Sequence, residues 1–401
     1  MTQPVTATAP SPSPPTVRRR YDSLEGYRGL AALAIVVYHV VQYAETGNPL
    51  LFPTRSAHTL VKGLDAFVDL FFVLSAFLLA LPYARSALAG HASPSGRAFM
   101  TRRVARIVPL YVIAVAVVWA VRNPVLPGDV RDLVEHLTFT QVFDQKRIFY
   151  TIGPAWSLAI EVQFYVLLAV LGAVVCRVCA RVAAGRRPAV LLGGTAVLAA
   201  SSIAWKWVAW NVLLIPGDHW PTWFGLAAKL DVFALGILLA VVVADGRLTV
   251  GRAGALALRL SGLAVLVVAF VTRPADGQHV WFHTLAAAGF TLLLAGTVLG
   301  RAREGREDLW DRVLGSPVPA FLGAVSYSLY LWHEPVILAL AANHLLPDQA
   351  SPDLLVVGLA VVLPVSLLVA WVSRHLIELP SGRLRAVVDR RGRPRDYYNG
   401  S

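Results

Sequence analysis

EGYRGLAALAIVVYHVVQY, residues 25–43, is apolar enough to enter a bilayer, yet it carries Arg28 near one end and His39 further along. A charged side chain at mid-bilayer costs about 2.5–3.5 kcal/mol on insertion scales, so ionisable groups in such a segment tend to be functional. The spacing is helical. The eleven steps from Arg28 to His39 sweep roughly 1100° at about 100° each, some 20° past three turns, so both side chains share one helix face. They stand about 16 Å apart along the axis.

The rest of the chain has the same character. Of 401 residues 56% are hydrophobic and 15% charged, with a mean hydropathy of +0.60, whereas soluble chains carry about 25% charged residues. Apolar runs long enough to cross a bilayer as helices recur ten times, near 24–43, 62–83, 104–121, 153–175, 188–210, 223–244, 254–272, 279–300, 318–343 and 354–376. Barrel strands would be half as long and would alternate polar with apolar residues. The fold class is therefore an all-α integral membrane protein, a bundle of about ten transmembrane helices.

Arginine placement sets the expected orientation. With the N-terminus inside, the cytoplasmic segments hold 24 basic residues and the outer loops six. That bias predicts a multi-pass plasma-membrane protein with both termini cytoplasmic. It also explains the net charge of +12 and the pI near 10.1 without a nucleic-acid partner, since the basic residues lie in short loops and no nucleic-acid motif accompanies them. Three parts are expected: a disordered tail at 1–20, a transmembrane domain at 21–378 and a basic tail at 379–401. The first span is too long and too interrupted for a cleaved signal peptide and reads as a retained helix. Cys176 and Cys179 form a lone C-x-x-C and read as packing residues. No Walker loop, dinucleotide fingerprint or internal repeat is visible.

Other spans also hold ionisable groups: Asp69 one turn after Asp65, Glu161, Lys229 with Asp231, and His333 with Glu334. Each alone reads as an ion pair or a headgroup-level residue; together they point to a polar site among the helices. Arg28, Arg103 and Arg106 fall at the expected cytoplasmic side, where they would either snorkel to lipid phosphates or dock a phosphate-rich ligand. His39 lies where a long arm of such a ligand would end, and an imidazole titrating near about 6.5 suits a general base.

These residues resemble the acyltransferase 3 family of integral-membrane O-acyltransferases, which acylate sugars, polysaccharides and glycosylated natural products. YRGLAALAIVVYH fits the family's R-x10-H, VDLFFVLSAF its V-D-L-F-F-V-L-S-G-F, and RRVARIVPLY its R-x-x-R-I-x-P. WSLAIEVQFY, VSYSLYLWHEPV and IELP are similar to its later elements, which carry over Trp156, Ser157, Glu161, Tyr165, Tyr327, Trp332, His333 and Glu378. Two departures stand out: Ala76 replaces a glycine and Val162 an acidic residue.

The resemblance implies an acyl-CoA co-substrate, acetyl or another short chain, with no permanently bound cofactor and no metal. Arg103, Arg106 and Arg28 would meet its phosphates and His39 would deprotonate the acceptor hydroxyl, directly or through an acyl-enzyme. Glu161 or Asp69 would orient the imidazole or hold acceptor hydroxyls. Tyr330, Trp332 and His333 would form an aromatic wall for a sugar, with Ser75 beside it, unless those rings sit at the lipid interface. The expected partners are the lipid bilayer, acyl-CoA and a hydroxylated carbohydrate or macrolide-type acceptor. The chain ends about 25 residues after the last span, so the membrane domain alone is expected, without the hydrolase-like domain some members add. The rival reading, a transporter or flippase, would be favoured by broken helices in matched positions of two halves; no repeat is visible, and the basic pair sits at a phosphate-accessible depth. His279 and His283 share i, i+4 spacing, but no H-E-x-x-H accompanies them.

Overall fold

The structure, a computed structural model, describes residues 15–45, 55–273, 281–300, 308–349 and 353–382. It is 82% helical and holds no strand among the described residues. The helices are α1 (Pro15–Glu45), α2 (Arg55–Lys62), α3 (Phe67–Ala89), α4 (Gly96–Arg122), α5 (Val130–Leu137), α6 (Ala155–Arg181) and α7 (Arg187–Asn211). They continue as α8 (Trp220–Phe224), α9 (Leu226–Asp245), α10 (Arg252–Val271), α11 (Phe282–Val298), α12 (Leu309–Leu314), α13 (Pro317–Ala342) and α14 (Leu354–Ser373). Each predicted span coincides with a helix. Eight candidate spans among the described residues are long and apolar enough to cross a membrane; α11 is shorter, at 17 residues. The 26-residue α13 is not among the eight, and its middle is polar, with Ser326, Tyr327, Ser328, Tyr330, His333 and Glu334 in three turns. Of the predicted tails, α1 begins at Pro15, within 1–20, while 1–14 and 383–401 lie outside the described residues.

Local chemistry sets several helix ends. Ser95 caps α4 by accepting the Ala98 N–H at 3.3 Å, and Gly90 ends α3 in the left-handed region at φ 73°, where a side chain would be strained. Asp129 caps α5, and that bond from the Asp132 N–H, with Arg147 beside it, holds its carboxyl below the usual carboxylate range. The long loop after α4 is stapled internally. Buried Asp132 accepts from Thr151 and stands 3.1 Å from His136, and the loop delivers Phe149 and Gly153 to the site described below.

Helix approach depends on small residues. α1 packs along α13, and Gly29 and Gly323 lie where a Cβ would meet the other helix's backbone. In a bilayer, where lipid tails are as apolar as leucine, such close contact holds helices together. Gly323→Val is expected to force the pair apart and cost about 1–3 kcal/mol. Gly193→Val, at a position with open space around it, is the control. Thermal stability in detergent measures both, and equal melting of the two variants would refute this account of the crossing.

Candidate active site

The α1–α13 crossing brings together two histidines 294 residues apart in sequence. His333 is fully buried, and its Nδ1 lies 3.1 Å from the Leu329 carbonyl one turn back, so Nδ1 carries the proton. Its Nε2 is then a lone pair and stands 3.1 Å from His39 Nδ1, which also lies 2.9 Å from the Ile35 carbonyl. Both acceptors require a proton on His39 Nδ1. In the neutral pair the remaining His39 nitrogen, Nε2, therefore holds the lone pair. His39 is half-buried and borders a cavity of about 350 Å³.

That cavity is aromatic. Trp156 begins α6, Trp210 ends α7, and Trp220 and Trp223 come from α8, with Phe149 and Tyr38 nearby. Its cations each stand against a carboxylate. Lys206 Nζ is 2.7 Å from Asp231, which also accepts from Thr284 at 2.5 Å and Ser202 at 3.0 Å. Arg273 grips Asp65 with two bonds of 2.9 and 2.7 Å. Lys229 lies 3.5 Å from Asp69, whose other oxygen is 2.6 Å from His283 Nδ1. The Lys229 ammonium makes no hydrogen bond to the described residues, is 2% exposed, and lies 5.6 Å from the Phe224 ring centroid. Glu334 accepts the Gly153 N–H at 2.6 Å on the same wall.

A second, smaller cavity of about 100 Å³ collects Arg28, Arg103 and Arg106. Glu161 lies among them, accepting from Ser75 and from Tyr165 at 3.0 Å, and Arg28 is 3.4 Å from Glu25. Arg106 makes no hydrogen bond or salt bridge to the described residues.

Several expectations change in this geometry. Glu161 and Asp69, the two candidates for orienting His39, have their hydrogen bonds elsewhere: Glu161 in the arginine cavity, Asp69 with His283, which lines the aromatic one. The residue that touches the imidazole is His333, placed in the sequence reading with the sugar wall. Of the expected wall only Tyr330 lines the aromatic cavity; Trp332, two residues on and about 200° around the helix, lines neither cavity. Ser75 lines the arginine cavity. Tyr327 donates to the Ile107 carbonyl at 2.7 Å, and Glu378 accepts from Ser328. Cys176 and Cys179 are buried and free, and His279 lies outside the described residues. The tryptophans of α7 and α8 and the Lys206–Asp231 pair were missed. Trp220 and Trp223 stand three apart, a helical signal too short to separate from a loop.

The chain matches the acyltransferase 3 family, described as an acyltransferase domain, over residues 21–371. It is 29% identical to a Komagataeibacter xylinus protein named as a membrane-bound transacylase, BcsY, over 88% of this chain and 81% of that one. A Staphylococcus aureus protein named as an O-acetyltransferase is 24% identical over 80% of this chain and 51% of its own length. The peptidoglycan O-acetyltransferase OatA of Listeria monocytogenes is 25% identical over 80% of this chain and 50% of its own. The chain thus spans about half the length of these two O-acetyltransferases. No solved structure matches it.

Proposed function

The chain belongs to the acyltransferase 3 family of membrane O-acyltransferases, and from this we propose that it moves a short acyl group from acyl-CoA to a hydroxyl of an uncharged carbohydrate or glycosylated small molecule. The observation that carries the reading is the pairing of two cavities. One holds three arginines, the other holds His39 and four tryptophans, and Arg28 and His39 share a face of α1.

The arginine cavity opens towards the cytoplasm, the side favoured by the arginine bias. There Arg28, Arg103 and Arg106 hold the phosphates of acyl-CoA, with Arg106 supplying a guanidinium that no salt bridge among the described residues occupies. The thioester reaches the aromatic cavity, where the acceptor ring stacks on tryptophan, accepts a hydrogen bond from Lys229 and donates one to Glu334. Because every cation of that cavity is matched by a carboxylate, its wall offers donors without net positive charge and favours a neutral ring over an acidic one.

The acceptor hydroxyl gives its proton to His39 Nε2 as its oxygen attacks the thioester carbonyl carbon. The carbon–sulfur bond then breaks, and the leaving thiolate takes the proton back from the imidazolium. The products are the ester and free CoA thiol, with His39 restored. His333 holds His39 in the tautomer this requires.

Membranes carrying the protein, given radiolabelled acetyl-CoA and a panel of hydroxylated acceptors, test the reaction; no transfer to any acceptor beyond that of empty membranes overturns it. Arg106→Gln tests the donor site. Losing one charge-assisted contact raises the KM for acyl-CoA about tenfold to a hundredfold and leaves the acceptor KM unchanged. An unchanged donor KM would remove Arg106 from the phosphate site.

A further inference from the structure

We propose that Tyr330 is the gate between the two cavities and sets which acyl chains reach His39, an inference that rests on the acyl-CoA reading above. Among the described residues, Tyr330 alone lines both cavities. Its side chain therefore lies where the two linings meet. Phe71, on the wall of the arginine cavity, meets it edge-on at 5.7 Å, and the His333 ring lies 5.9 Å away towards His39. The side chain is 6% exposed and held at its tip. Its hydroxyl donates to the Pro154 carbonyl at 3.1 Å and stands 2.8 Å from Ser157 Oγ, itself 3.1 Å from the same carbonyl. Those partners lie at the start of α6, where Trp156 faces the aromatic cavity and Ser157 the arginine cavity.

A donor whose phosphates sit on Arg28, Arg103 and Arg106 must pass this ring to react at His39. The acyl group is the leading end of the donor arm, so it meets the gate first. Opening needs only a turn of one side chain and the loss of two neutral hydrogen bonds, since the backbone of α13 stays packed on α1. The aperture is then one phenol ring wide, and the cavity of about 350 Å³ beyond must also hold the acceptor. Short chains fit through and leave room, and long chains do neither. The held ring also keeps water on the acceptor side from a waiting thioester.

The experiment uses the full chain purified in detergent, with acetyl-, butyryl- and octanoyl-CoA as donors, both with acceptor and without it. Removing the ring in Tyr330→Ala raises the octanoyl-to-acetyl rate ratio by about tenfold or more, with Tyr330→Leu intermediate. Tyr330→Phe keeps the ring but frees its tip, so its distinctive effect is faster hydrolysis of acetyl-CoA when no acceptor is present. A residue that merely packs the core would change total activity and leave both readouts where they were. Folded variants with the wild-type ratio and the wild-type hydrolysis overturn the gate. If Tyr330→Ala aggregates on size exclusion, Tyr330→Leu and Tyr330→Phe decide it. Wild-type protein that uses no acyl-CoA of any length instead overturns the donor reading, and the gate falls with it.

Discussion

His39→Ala is expected to lower acyl transfer by about 10²–10⁴, the contribution of a positioned general base. With Nδ1 committed to the Ile35 carbonyl and to His333, Nε2 is the basic atom, and His39 borders the cavity large enough for an acceptor. Donor KM should stay close to wild type, because the proposed phosphate contacts lie in the other cavity. His333 acts through His39 and is a positioning residue. His333→Leu removes the acceptor that orders the imidazole, so kcat falls with little change in either KM. His333→Gln restores an acceptor oxygen and should recover part of the loss, which a purely packing role would not produce. Transfer kinetics on detergent-purified, monodisperse variants measure all three. Full activity in His39→Ala would end its role as base.

The largest stability effect is expected at Asp231. Its carboxylate takes Lys206, Thr284 and Ser202, and both it and Lys206 are about 2% exposed. Asp231→Ala strands the Lys206 ammonium among helices, and breaking a buried pair from one side costs about 3–5 kcal/mol. Replacing both partners removes the charge along with its counter-charge. Lys206→Met/Asp231→Leu should therefore melt well above Asp231→Ala and near wild type, since such swaps are often neutral or stabilising. The double variant also loses a donor from the aromatic cavity, so stability and activity should separate: recovered melting with reduced acceptor affinity. Asp231→Ala melting with the wild type would mean that the pair contributes nothing to the bundle.

What was legible in advance was what one helix carries by itself. Arg28 and His39 lie on the same rigid helix, so a count of residues fixed their shared face and their axial separation. The apolar runs gave the spans because lipid forces backbone groups into helical bonds, and the ordered motifs gave the family. The two departures from those motifs are small: Ala76 packs where a Cβ on Gly236 would already collide, and Val162 leaves Glu161 held by Ser75 and Tyr165.

Contacts between helices were another matter. That His39 meets His333 and neither Glu161 nor Asp69, that Lys206 finds Asp231, that the tryptophans of α7 and α8 converge on one cavity and that Tyr330 stands between two cavities all depend on how helices cross. A periodic pattern states which face of a helix is polar but not which partner faces it. Here the glycine-cleared approach of α1 to α13 chose the partner. The sequence by itself determined the helices, their polar faces and the chemistry they carry. Only the tertiary structure decided the pairings, because those follow from packing among segments far apart in the chain.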